Sequence, residues 1–217
     1  MERIVDLVYR ISFRILCDRF DSEEVTRKVL SDAGRWSVVY EGEFKSKDWF
    51  IRHTCLLCRM SMVRRKTLWL MNIRNEVFVR ASPRVEDQDD YTTKQAWQVY
   101  CRAVHGMTPL QVMAYVLCVL EGISEARAMK ILNITQARLR HLLKKATASI
   151  RGELAVYGRA ELYRDFVSFI RRVDEVNKPQ AKDLLTEYSA SVPCSSQVRP
   201  SSSLLFSGSQ YGWPLSR

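Results

Sequence analysis

Apolar residues recur at three- and four-residue spacing along most of this chain, the period of helices that bury one face. In 3–17 the stripe is Ile4, Leu7, Val8, Ile11, Ile15 and Leu16. After a break at 17–21, Val25, Val29, Leu30 and Ala33 share one face of a helix predicted over 22–36. Asp21 or Ser22 is its expected N-cap, and Glu23 and Glu24 suit the positive end of its dipole. A long third helix is predicted over 47–66, with Trp49, Phe50, Cys55, Leu56, Met60 and Val63 as its apolar stripe. Residues 67–80 read equally as a small hairpin or as further helix.

The second half carries clearer punctuation. A helix over 94–105 stops at Gly106, and Thr108-Pro109 supplies a cap and an N1 proline for a helix over 109–121 that ends at Gly122. Ser124 caps a short helix through Leu132. An Asn133-Ile134-Thr135 turn leads to a longer helix from Gln136 to about Leu154. A further amphipathic helix over 159–175 carries Leu162, Phe166, Phe169, Ile170 and Val173. The fold class is therefore all-α.

Charge divides this helical chain. The whole has 217 residues and a net charge of +10, which suggests a polyanionic partner without naming one. Residues 1–81 carry net +5, residues 82–93 carry −3, residues 94–176 carry +6 and residues 177–217 carry +2. The acidic, proline-containing segment reads as a linker between two basic helical blocks. The last 41 residues include ten Ser and four Pro, and periodicity fades after Tyr188. The expected organisation is two small helical domains, 1–80 and 94–155, joined by an acidic linker at 81–93. A helical extension, 156–188, and a flexible tail, 189–217, complete it. Leu204, Leu205, Phe206, Tyr211 and Trp213 give that tail the residues of a short docking peptide, although a plain unstructured end explains them as well.

Ser124 to Arg151 reads as a helix-turn-helix unit, a short helix and a tight turn followed by a longer basic helix. Leu139, Leu143, Ala146 and Ile150 fall on one face of the second helix. Gln136, Arg140, Lys144 and Thr147 fall on another, flanked by Arg138, His141 and Lys145. A cationic stripe opposite an apolar one is what insertion into a DNA groove requires.

These residues bring in a resemblance. Residues 107–124, with their proline-led helix and Glu121-Gly122-Ile123-Ser124 joint, and the following 129–135 and 139–146 look like region four of sigma-70-type transcription initiation factors, in the compact extracytoplasmic-function group. Residues 9–18 and 21–26 are similar to that group's region two, and Trp49 to Arg52 with Leu57, Cys58, Arg64 and Arg65 resemble its promoter-melting helix. The resemblance implies a bacterial sigma factor that binds core RNA polymerase and promoter DNA and does no chemistry of its own. It assigns minus-35 contacts to Gln136, Arg138, Arg140, His141, Lys144 and Lys145. Minus-10 contacts fall to Trp49, Arg52, Arg59, Arg64, Arg65 and Lys66, and polymerase contacts to Asp21, Glu23, Glu24, Arg27 and Lys28. It also leaves room for an anti-sigma partner. The chain departs from the family at Arg27-Lys28, where Gln-Glu is usual, at Leu56 and Met60, where polar residues are usual, and at Leu142, where a basic residue is common.

Other classes find little footing. His53, His105 and His141 lack ligand spacing, and Cys55-Leu-Leu-Cys58 has no second pair, so neither a metal nor any other cofactor is expected. No glycine-rich phosphate loop or nucleophile elbow occurs. The longest apolar run, Val112 to Leu120, is far short of the roughly 20 residues of a membrane span, so no membrane insertion is expected. A charged N-terminus argues against export, and reduced thiols in a reducing cytoplasm are the expectation for Cys17, Cys55, Cys58, Cys101, Cys118 and Cys194. Two other readings stand beside the sigma factor. One is a helix-turn-helix regulator that does not engage polymerase. The other is an interaction module in which 156–188 does the work.

Overall fold

Residues 2–39, 46–70, 90–156 and 166–171 are described by a computed structural model of the chain. Most of the described residues are helical, with no strand among them. Seven α-helices follow in order among them: α1 (Glu2–Leu16), α2 (Arg19–Val39), α3 (Lys47–Leu70), α4 (Asp90–Gly106), α5 (Pro109–Tyr115), α6 (Glu125–Leu132) and α7 (Gln136–Val156). Residues 166–171 form a further helical stretch. None of the described helices is long and apolar enough to cross a membrane.

The α1–α2 corner is shorter than the break expected at 17–21, because α2 starts at Arg19. Cys17 takes a left-handed conformation, φ 53°, which reverses the chain sharply after α1. Asp18 then caps α2, its carboxylate accepting the Asp21 backbone N–H at 2.9 Å. Asp21 and Ser22, the expected caps, therefore lie inside the helix. Ser22 is fully buried and donates to the Asp18 carbonyl. Thr26 and Thr54 are also buried and bond back to the carbonyls four residues before them, Ser22 and Phe50, each at 2.7 Å.

Helix α1 is buried on more than the expected stripe. Leu7, Val8, Ile11, Ile15 and Leu16 are in the core, but so are Val5, Tyr9 and Phe13. The reason is that α1 lies between two layers. One flank packs on α2 and α3, and the other meets the second block, where Phe13 stacks on Trp97 of α4 at a centroid distance of 4.7 Å. One apolar cluster consequently runs from Leu7 through Ile51 and Trp97 to Leu154.

The boundaries near 67–93 also shift. Helix α3 continues through Leu70, so 67–70 are helical; 71–80 lie outside the described residues. Helix α4 begins at Asp90, four residues before the expected start and within the segment read as linker. The remainder of that linker, 81–89, and the tail are not among the described residues.

In the second block Thr108 and Gln111 make a reciprocal capping box ahead of the N1 proline of α5. The helix then widens into a π turn over Val116–Leu120, closed by the Glu121 N–H on the Val116 carbonyl at 2.9 Å. Gly122, at φ 66°, takes the left-handed step that ends it. Helix α7 packs against α4, α5 and α6. Phe166 and Ile170 are buried against this block, and Arg171 donates to the Val119 and Leu120 carbonyls at 2.9 and 3.1 Å. That stretch of the expected extension, at least, belongs to the core.

Candidate nucleic-acid interface

Local sequence dictates the geometry of α6, its turn and α7. Asn133 closes α6 in the left-handed conformation (φ 53°, ψ 54°), which asparagine tolerates better than most residues. The Ile134 N–H reaches the Met129 carbonyl at 3.2 Å, completing the stop signal. Thr135 opens α7: its hydroxyl accepts the Arg138 N–H at 3.4 Å and its carbonyl the Leu139 N–H at 2.9 Å. Ser124 occupies the N-cap position of α6, but its side chain makes no capping hydrogen bond.

The second helix then divides cleanly. Leu139, Leu142, Ala146, Ile150 and Leu154 are buried. Leu143, expected in the core, is only half-buried, and Leu142 takes its place on the apolar face. A basic residue at 142 would sit in the core here, which is the physical reason for the leucine.

All six residues assigned to duplex contact, Gln136, Arg138, Arg140, His141, Lys144 and Lys145, are exposed on α7. Arg151, seven positions beyond Lys144, is exposed on the same side and extends the stripe by two turns; that i+7 spacing is the signal that could have found it. The helix holds five Lys or Arg against one Glu. Arg140 pairs with Glu125 of α6 at 3.2 Å, with side chains 65% and 43% exposed. Such a pair contributes roughly 0–1 kcal/mol.

The residues assigned to the melted strand are less uniform. Arg52, Arg59 and Arg64 are exposed on α3. Trp49 is half-buried, stacked on the His53 ring at 4.9 Å and set edge-on to Phe50. Arg65 turns inward: it donates to the Leu16 carbonyl at 3.0 Å and forms an ion pair with Asp21, so it ties α3 to the α1–α2 corner. The Lys66 side chain lies outside the described residues.

The acidic surface assigned to polymerase is partly occupied within the chain. Asp21 accepts from the Ser61 hydroxyl at 3.2 Å as well as from Arg65. Glu23 lies between Arg19 at 2.8 Å and Arg27 at 3.4 Å, each one turn away. Glu24 and Lys28 are exposed. Arg27, one of the two departures from the family on this helix, therefore answers Glu23 within the chain.

Polar contacts hold the two blocks together around this site. Arg10 and Arg14 of α1 converge on Glu121, Arg52 donates to the Lys130 carbonyl at the end of α6 at 2.6 Å, and Arg127 of α6 pairs with Asp48 of α3. Thus α3 packs its Arg52 side against the first helix of the helix-turn-helix unit while α7 keeps its basic face in solvent. Among the described residues no group of His, Cys, Asp and Glu is arranged to hold a metal. The cysteines described, Cys17, Cys55, Cys58, Cys101 and Cys118, are free thiols, and burial pushes Cys55 up to about 12. No family model, curated protein or solved structure matches this chain.

Proposed function

We propose that the chain is a transcription initiation factor of the extracytoplasmic-function sigma type, acting without chemistry of its own. The observation that carries this reading is α7. A capped turn presents a helix whose apolar face is sealed in the core and whose opposite face offers Gln136, Arg138, Arg140, His141, Lys144 and Lys145 to solvent. In this reading α7 lies in the major groove at the minus-35 element, with cations on phosphates and the polar groups on base edges. Arg52, Arg59 and Arg64 of α3 take the melted minus-10 strand, and Glu24 with its neighbours on α2 meets core RNA polymerase.

A second reading has a specific observation in its favour. Asp21 and Glu23 are engaged by Arg65, Ser61, Arg19 and Arg27, which reduces the acidic surface available to a partner. That arrangement suits a helix-turn-helix regulator that binds duplex DNA and never engages polymerase. Mixing the purified chain with core RNA polymerase at low salt separates the two. Co-elution as a complex supports the sigma reading; duplex binding without co-elution supports the regulator.

A further inference from the structure

A groove of about 370 Å³ runs between α3 and the helix-turn-helix unit. Its floor is apolar, built from Leu56 of α3, Leu110 and Met113 of α5 and Ile131 of α6, and Arg52 and Arg59 stand on its α3 side. Among the described residues, no acidic side chain lines it. Leu56 is 41% exposed at its edge, which leaves apolar surface open to an occupant. The volume is that of a site for a few side chains.

We propose that this groove is the docking site for residues 183–188 of the same chain, Asp183-Leu-Leu-Thr-Glu-Tyr188. This segment lies outside the described residues. Its composition complements the groove: Leu184, Leu185 and Tyr188 match the floor, and Asp183 and Glu187 match Arg52 and Arg59. On a helix, Asp183 and Glu187 fall one turn apart, as do Leu184 and Tyr188, giving an acidic edge beside an apolar one. The alternative segment of the tail, 204–213, is apolar but carries no charge to answer the two arginines.

Geometry permits the docking. Arg171 is fixed to the Val119 and Leu120 carbonyls, at the end of the helix whose earlier turns supply Leu110 and Met113. Met113 lies about 10 Å back along that helix from Leu120, by the rise of 1.5 Å per residue. The twelve residues from Arg171 to Asp183 span up to about 40 Å when extended, several times that separation. The inference rests on packing and charge alone and stands whether or not the chain engages DNA.

The test places a photo-cross-linking phenylalanine analogue at Leu56 in the full chain, and in a second preparation at Arg59; both positions are exposed, so folding is expected to survive. The expected product is an intramolecular cross-link to a peptide containing 183–188, with a yield independent of dilution. Leu184→Asp combined with Leu185→Asp should remove that cross-link while the helical circular dichroism stays unchanged. Cross-links that lead to 204–213, to a second copy or to no part of 183–188 from either position overturn the proposal, as does a cross-link that persists in the double variant.

Discussion

Arg14 and Glu121, 107 positions apart, form an ion pair at 2.6 Å with side chains only 3% and 5% exposed. The Arg10 guanidinium closes on the same carboxylate at 2.8 and 3.0 Å, so one acidic residue beside the π turn fastens α1 to the second block. Removing one member of such a pair leaves the other charge buried without its counter-ion, which typically costs about 3–5 kcal/mol. Glu121→Ala should destabilise the fold by that amount, whereas Arg10→Ala, at the more exposed edge, should cost far less. Urea unfolding of the two variants checks the order.

The apolar face of α7 makes a second prediction. Leu139 and Ile150 are fully buried, and Leu139→Ala should cost about 2–5 kcal/mol, through the burial it removes and the cavity it leaves. Leu142→Lys should destabilise as well, because the side chain is 9% exposed on that face; Leu143→Lys, half-buried, should be tolerated better. Thermal unfolding of the three variants distinguishes a core at 142 from one at 143.

Charge reversal on α7 tests its proposed role directly. Arg140→Glu with Lys144→Glu should weaken duplex binding and lower the salt slope of log K by about one for each phosphate no longer neutralised. Both side chains are exposed, so stability should change little. Affinity equal to that of the unaltered protein, in a titration across salt concentrations, would mean that this face does not touch DNA. Arg65→Gln should act differently: its guanidinium serves the α1–α2 corner, so stability, more than DNA affinity, should fall.

Stability should also decline in alkali. Burial raises the Cys55 thiol from its ordinary 9.0 to about 12, and burial likewise holds Cys58 and Cys17 well above 9.0. In the unfolded chain these thiols lose their protons from about pH 9, while the folded chain retains them. The unfolded state is therefore favoured as pH rises, and the contribution is whole below pH 9.0 and lost on the way to about 12. Urea midpoints measured across this window should fall, and Cys55→Ala should shallow the decline.

Much of the second block is legible in the sequence because its signals are local. Thr108-Pro109, Gly122, Asn133 and Thr135 act within one turn of themselves, and the period of α7 places Arg140 and Lys144 outward without reference to the rest of the chain. Leu142 and Leu143 were confused because adjacent leucines are 100° apart on a helix and both border the apolar face. The Asp18 cap was hidden by a left-handed Cys17, a residue type with no special liking for that conformation. The inward turn of Arg65 and the grip of Arg10 and Arg14 on Glu121 depend on partners 44 to 111 positions away, which no period reveals. The same holds for the burial of Tyr9 and Phe13, which follows from the second block covering α1.

The most direct test of the central claim is transcription itself. Core RNA polymerase, the full chain and a randomised promoter library are combined, and transcripts are sequenced. The sigma reading predicts start sites that depend on the chain, share upstream and downstream elements, and disappear with Arg140→Glu and Lys144→Glu. Transcripts no different from those of core polymerase alone, from a preparation that binds duplex DNA, would contradict it.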